Sequence, residues 1–311
     1  PPRAERDALR EKEIALSQTL VSLGYREIIT SSMVDPAENA RFNDAASVVL
    51  ENPLSQEASA LRTTALPSML SALRWNLDRD REDLRFFEMG KIYWKGADGT
   101  PQERRLLAVG VAGYSRPATM RDAAKEFDFF DLKGDLESLF AVFELVGVHF
   151  VPEVGGAYAD KWSGQFLRGE DRLASFGRIN ERLQADHKLR RPAWLAEIDL
   201  ERLLKFPLKS KSFRAVSKFP SVERDFSLVV PSAVTFATVA EVLHRIQRPE
   251  LASFRPMDLF KGGAMGPDHY SLLLRVTLQS QDHTLSGDEI TALSQKVLDS
   301  LAPLGIRLRG Q

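Results

Sequence analysis

The sequence predicts an α+β chain in two domains, and three observations carry that prediction. Residues 209–311 run strand, helix, strand, strand, helix, strand, the order of a split βαβ sandwich. Residues 1–208 interleave several strands with hairpins and helices, which calls for a largely antiparallel sheet. Between them, residues 205–218 are basic, contain serines and lack an apolar period, as an interdomain linker does.

The second domain is the more sharply patterned. Val222, Arg224, Phe226, Leu228 and Val230 alternate with Glu223, Asp225, Ser227 and Val229 up to Pro231, a period-two strand. Thr235 stands where it can cap a helix whose apolar side is Val239, Val242, Leu243 and Ile246. Extended runs at 254–260 and 270–279 flank the turn-rich Lys261-Gly-Gly-Ala-Met-Gly-Pro267. Ser286-Gly-Asp-Glu289 is a capping box, in which Ser and Glu each satisfy an orphan amide of the other. It opens a helix with Ile290, Leu293, Val297, Leu298 and Leu301 on one face; Pro303 and Gly305 stop it, and residues 306–308 form the last strand. The βαββαβ order is ferredoxin-like.

In the first domain, residues 3–23 read as an amphipathic helix with Leu9, Leu16, Leu20 and Leu23 on one side and Gly24 as its stop. Residues 25–34 read as a strand, Asp35-Pro36 as the start of a short helix, and 48–51 as a short strand. Leu66, Met69, Leu70, Leu73 and Leu77 make a second helical stripe, with Pro67 tolerated in the first turn. Strands at 84–95 and 104–114 flank Ala97-Asp98-Gly99-Thr100, a hairpin turn. Leu132, Leu136, Leu139, Phe140 and Phe143 mark a third helix, and strands at 162–168, 173–179 and 194–198 precede a short helix near 200–204.

Composition narrows the function classes. The chain is 43% hydrophobic and 27% charged, with a net charge of −1, and no apolar run is long enough to span a membrane. It has no cysteine, which removes thiol catalysis, disulfides and cysteine zinc sites and fits a reducing, cytoplasmic setting. Residues 209–311 hold 13 Lys and Arg against 10 Asp and Glu, a mild basic excess far from a dedicated binder's stripe, so any RNA contact by that domain alone should be weak. The start Pro1-Pro2, without Met, reads as that of an excised fragment.

Several blocks then resemble a known family. Phe219-Pro220, Arg224-Asp225, Met257-Asp258, Ser271 to Arg275 with Gln279, Thr284-Leu285-Ser286 and Leu308-Arg309-Gly310 resemble the ferredoxin-fold anticodon-binding domain that closes the bacterial phenylalanyl-tRNA synthetase β subunit. Glu51-Asn-Pro-Leu-Ser55, Leu61-Arg-Thr-Thr-Ala-Leu-Pro67, Leu84-Arg-Phe-Phe-Glu-Met-Gly-Lys91, Phe127-Asp-Phe-Phe-Asp-Leu-Lys-Gly-Asp-Leu-Glu137 and Ala196-Glu-Ile-Asp-Leu200 resemble its catalytic-like domain. Tyr158-Ala-Asp-Lys-Trp-Ser163 departs from that family, which carries a His-Pro-Gly-Arg-like run there. The resemblance implies a class II synthetase-like core in residues 1–208 and an anticodon-binding domain in 209–311. It also implies a catalytic α subunit and tRNA Phe as partners, with ATP and Mg²⁺ used by the full enzyme.

Catalysis by this chain alone is not expected. In the active subunit the last class II motif is Gly-x-Gly-x-x-Arg; the similar stretch here is Glu197-Ile-Asp-Leu-Glu-Arg202, so Glu197 and Asp199 replace the glycines while Arg202 is kept. Two carboxylates should repel a polyphosphate and fill its approach, leaving a degenerate ATP motif and no cofactor bound by this fragment. The five histidines share no metal-ligand spacing, and Asp282-His283 with Ser286 is better explained by a helix cap than by a triad. Gly110-Val-Ala-Gly113 is too short for a phosphate loop and reads as packing or a bend.

Two binding surfaces remain. The Leu9, Leu16, Leu20 helix is either an ordinary core face or, as the resemblance implies, the subunit interface with α; without α the same patch could pair two copies of the fragment. Arg224, Arg255, Lys261, Arg275, Arg307 and Arg309, interleaved with Phe226, Phe254, Phe260 and Tyr270, are the tRNA-binding candidates, with core packing as the alternative for the aromatics. The leading function is a noncatalytic part of the ligase. The alternatives are a ferredoxin-like small-molecule sensor on an assembly scaffold and an autonomous class II ligase.

Overall fold

A computed structural model provides the fold and describes residues 8–152, 156–210, 212–213, 215–262 and 266–310. The chain divides into two compact units, Pro1–Lys211 and Ser212–Gln311. Residues 3–7 of the expected first helix, and parts of the expected linker and of the Lys261 to Pro267 turn, lie outside the described residues.

In chain order the first unit holds α1 (Ala8–Ser22), β1 (Arg26–Glu27), β2 (Met33–Val34), α2 (Pro36–Asn39), β3 (Ala60–Leu61), α3 (Leu66–Leu77), β4 (Leu84–Lys95), β5 (Pro101–Ala112), β6 (Tyr114–Arg116), β7 (Lys125–Glu126), α4 (Phe129–Phe140), β8 (Val148–Pro152), β9 (Tyr158–Arg168), β10 (Asp171–Ile179), α5 (Glu181–Asp186), β11 (Ala193–Asp199) and α6 (Leu200–Leu203). Seven strands form one sheet in the order β1-β4-β5-β11-β10-β9-β8. Only the β1–β4 pairing in it is parallel.

Each face of that sheet has its own core. On one, Leu16 and Leu20 of α1, Leu132, Leu136 and Leu139 of α4 and Leu200 and Leu203 of α6 meet Leu107, Val109, Phe176, Ala196 and Ile198. The rings of Phe129, Phe176 and Phe166 stack there with centroids 5.2 and 5.3 Å apart. On the other face, Leu66, Met69, Leu70 and Leu73 of α3 meet Leu106, Ala108, Ala193 and Leu195. Burying each such leucine contributes about 1.5–3 kcal/mol before entropy is charged against it. Alternation along β5 and β11 assigns residues to the two cores, so a single period-two pattern feeds both.

α3 lies close to the sheet because of one glycine: a Cβ on Gly110 would sit 2.5 Å from Met69 Cγ. Gly113, with φ +110, bends the chain where a Cβ would meet the Glu82 carbonyl oxygen at 1.7 Å. The expected strand over 25–34 is broken. Ser31 Oγ accepts from the Met33 amide at 3.1 Å and donates to the Met33 carbonyl at 3.0 Å, and this turn redirects β2 to pair with β3 instead of β4. The expected strand at 48–51 is reduced to a single bridge, Val49 with Ala60. β8 and α5 add to the elements expected from the sequence, where neither carries a clear apolar period.

The second unit contains β12 (Val222–Pro231), α7 (Phe236–His244), β13 (Leu251–Lys261), β14 (His269–Leu278), α8 (Gly287–Leu301) and β15 (Arg307–Leu308). Its sheet order is β13-β14-β12-β15, with antiparallel pairing throughout. The Thr235 cap and the Ser286–Glu289 capping box both form. Phe226, Leu228, Val230, Leu272, Leu274 and Val276 pack under Val239, Leu243, Ile290, Val297 and Leu301. The sheet therefore has one covered face and one open face.

Candidate functional site

The degenerate motif lies at the end of β11 and the start of α6, and both substituted carboxylates have structural work there. Glu197 Oε1 accepts from Thr64 Oγ1 and from the Ala65 amide, each at 2.7 Å, at the N-terminal end of α3. Burial raises the Glu197 pKa, against the opposing pull of those two donors. Asp199 caps α6 through the Arg202 amide at 3.0 Å, and its Oδ2 lies 3.3 Å from Arg104 Nη1 and 3.4 Å from Arg202 Nε. Arg202 also donates to the Arg172 carbonyl and pairs with Asp171, both at 3.2 Å. The two acids are thus not free charges facing a ligand, as the sequence implied. One is turned under α3, and the other is held between two guanidinium groups.

Beside them is a cavity of about 290 Å³, lined by Arg104, Arg172, Arg202, Glu170, Glu197 and Asp199 over the apolar Ile92, Leu106 and Leu173. Arg104 and Arg172 were not singled out in the sequence. They reach the cavity only because β5 and β10 flank β11 in the sheet, a register with no local signal. Among the described residues no group of three His, Asp or Glu is arranged to hold a metal ion.

The stripe on α1 is spent internally. Leu16 and Leu20 are fully buried in the unit's own core, and Leu9 is half-exposed. The solvent side of α1 carries Ile14 and Val21, seven residues and so two turns apart on one face. Of the three leucines, Leu9 shares the solvent side of this helix, while Leu16 and Leu20 do not.

The six cations of the second unit divide by face. Cross-strand partners share a face, so Arg255 and Arg275 (paired in register) and Arg307 (opposite Val229) lie on the open side. Arg224, opposite Val276, and Lys261, opposite Tyr270, lie on the helix side, and Arg309 follows the end of β15. Arg275 Nε and Nη2 donate to Asp225 at 2.7 Å each, and Nη1 lies 3.1 Å from Glu223, which in turn sits 3.8 Å from Arg255. The Asp225 hydrogen bonds raise the Arg275 pKa and hold that of Asp225 down. Arg255 and Arg275 are therefore largely spent on acids, while Arg224, Lys261, Arg307 and Arg309 have no ion pair among the described residues. The aromatics divide too. Phe226 and Tyr270 are core, Phe254 packs against that core, and Phe260 alone of the four is exposed.

Taken together, these features define a class II synthetase-like domain without a free nucleotide cradle, followed by a ferredoxin-fold domain with scattered exposed cations. The family model described as phenylalanyl tRNA synthetase beta chain CLM domain matches residues 2–200, and that of the ferredoxin-fold anticodon binding domain matches residues 217–309. The chain belongs to the phenylalanyl-tRNA synthetase β-chain family. The phenylalanine–tRNA ligase β subunit of Carboxydothermus hydrogenoformans is 29% identical over 306 residues, covering 96% of this chain and 38% of the relative. That of Pseudomonas savastanoi pv. phaseolicola is 31% identical over 293 residues, covering 92% and 36%. The chain thus spans little more than a third of the curated relatives it matches. A solved pyrrolysyl-tRNA synthetase of Desulfitobacterium hafniense shares the fold, with a TM-score of 0.50 and 21% identity over 63% of this chain and 68% of that one.

Proposed function

We propose that this chain serves as a noncatalytic part of a phenylalanine–tRNA ligase β subunit. Residues 1–208 support assembly with a catalytic α subunit, and residues 209–311 contact tRNA Phe. The observation that carries this reading is the fate of Glu197 and Asp199, whose carboxylates are built into the α3 and α6 junctions where a nucleotide site would need open backbone. These residues do not fit ATP, and no aromatic side chain lines the adjacent cavity to receive a base. ATP and Mg²⁺ act on the α subunit in this reading, and this chain contributes no chemical step. Its contribution is to bind and orient.

The RNA contact is assigned to Arg224, Lys261, Arg307 and Arg309 around the sheet, supported by their lack of acidic partners among the described residues. Mixing the chain with α subunit and measuring mass by light scattering tests assembly; a defined complex at micromolar concentration is expected, and separate species would overturn it. A tRNA crosslinking map on the assembled enzyme tests the RNA contact. Crosslinks concentrated at Lys261 and 307–309 are expected, and none in residues 209–311 would make the domain a structural appendage.

A further inference from the structure

The cavity between β5, β10, β11 and α6 has a cation that nothing uses. Arg172 has no hydrogen bond or ion pair from its side chain among the described residues, although it lines the cavity. Beside it, Asp199 bridges Arg104 and Arg202; Arg202 has a second acid in Asp171 at 3.2 Å, whereas Arg104 has only its share of Asp199 among the described residues. Arg104 Nε is buried without a hydrogen-bond acceptor, an unmet donor of the kind that costs stability unless something fills it. Glu197, the second acid at depth, has its Oε1 committed to Thr64 and Ala65. Glu170 stands at the exposed mouth. Three arginines thus line a space in which one carboxylate is shared, another is turned away and the third, Glu170, stands at the mouth.

We propose that this cavity is a binding site for a compact phosphate-class oxyanion, gripped by Arg172 together with Arg104 and Arg202. Guanidinium forks match the tetrahedral oxygens of phosphate with paired, charge-assisted hydrogen bonds. The volume of about 290 Å³ is at the small end of ligand sites, and the apolar wall of Ile92, Leu106 and Leu173 offers nothing flat to stack on. Free phosphate or pyrophosphate fits that description better than a nucleotide. The inference needs neither an α subunit nor tRNA, so it stands or falls apart from the assembly reading.

The test is thermal denaturation and calorimetric titration of the 311-residue chain with inorganic phosphate against chloride at matched ionic strength, followed by pyrophosphate and ATP. A saturable rise in Tm with phosphate is expected. Arg172→Gln should weaken the apparent affinity about tenfold, the loss of one charge-assisted contact, while leaving the phosphate-free Tm unchanged. Arg121→Gln, an exposed arginine outside the cavity, should do nothing. A response no larger than that of chloride, an equal loss in both variants, or tighter binding of ATP than of phosphate would each overturn the proposal.

Discussion

Asp225 and Arg275 stand directly opposite each other on β12 and β14, and both oxygens of the carboxylate are taken by the guanidinium. This pair cancels charge on the open face of the sheet, where the sequence places Arg255 and Arg275 as RNA contacts. Asp225→Asn should free Nε and Nη2 of Arg275, leaving Nη1 on Glu223, and raise affinity for an anticodon stem-loop, with the salt slope steeper by about one. Fluorescence anisotropy between low and moderate salt checks it; unchanged affinity would place the RNA elsewhere. Charge reversal at Lys261 and Arg307 should act the opposite way, weakening binding that starts near 10⁻⁴–10⁻⁶ M, roughly the range for nonspecific phosphate contacts.

The Arg62–Glu88 pair, 2.8 Å apart with Thr30 and the Lys91 carbonyl completing the guanidinium's contacts, is buried at both ends. Glu88→Ala leaves Arg62 charged and buried, at a cost of about 3–5 kcal/mol. A fall in Tm several times that of an exposed control, such as Glu103→Ala, is expected in calorimetry.

Gly113→Ala should disrupt the first unit. Its φ of +110 alone costs about 1–3 kcal/mol for a residue with a Cβ, and the Glu82 carbonyl occupies the space the methyl needs. Circular dichroism and melting of the variant check this, and a wild-type Tm would refute the geometry.

Two carboxyls bend the pH profile in opposite senses. Glu289 is held at about 2 by hydrogen bonds from the Ser286 backbone and side chain, with a further contribution from His283. Its folded pKa is depressed, so its stabilisation is present above pH 4.5 and lost as pH falls towards 2. Glu197 is the reverse case. Burial raises its pKa, so its contribution is full below the ordinary 4.5 and is lost as pH rises through the raised value. Glu197→Gln keeps an acceptor for Thr64 and Ala65, and should gain stability relative to wild type between pH 5 and 8. Melting curves across that range decide it, and NMR titration should find Glu289 near 2.

Ile14→Glu and Val21→Glu place charge on the open side of α1 without touching the core. In the proposed assembly they should weaken association with α subunit about tenfold or more and leave the Tm of the isolated chain unchanged. Leu16→Ala, by contrast, should cost about 2–5 kcal/mol of stability.

Much of the fold could be read from local pattern. The capping box at Ser286, the Thr235 cap, the Asp98-Gly99 hairpin and the apolar stripes of α3, α4 and α8 all announce themselves, because each signal lies within a few residues of its effect. The strand at 25–34 misled because its break is made by one serine hydroxyl turning back on Met33, which competes with the ladder at a cost no periodicity records.

The amino-acid order by itself determined most of the elements and the replacement of glycines by Glu197 and Asp199. Tertiary structure decided what those substitutions mean. Whether a carboxylate repels a ligand or holds a helix in place depends on the donors brought to it, and Thr64, Ala65 and Arg104 come from far along the chain. The same holds for Leu16, Leu20, Arg255 and Arg275. Residue type sets what a side chain can do, but only its neighbours across the sheet settle whether it is free to do it.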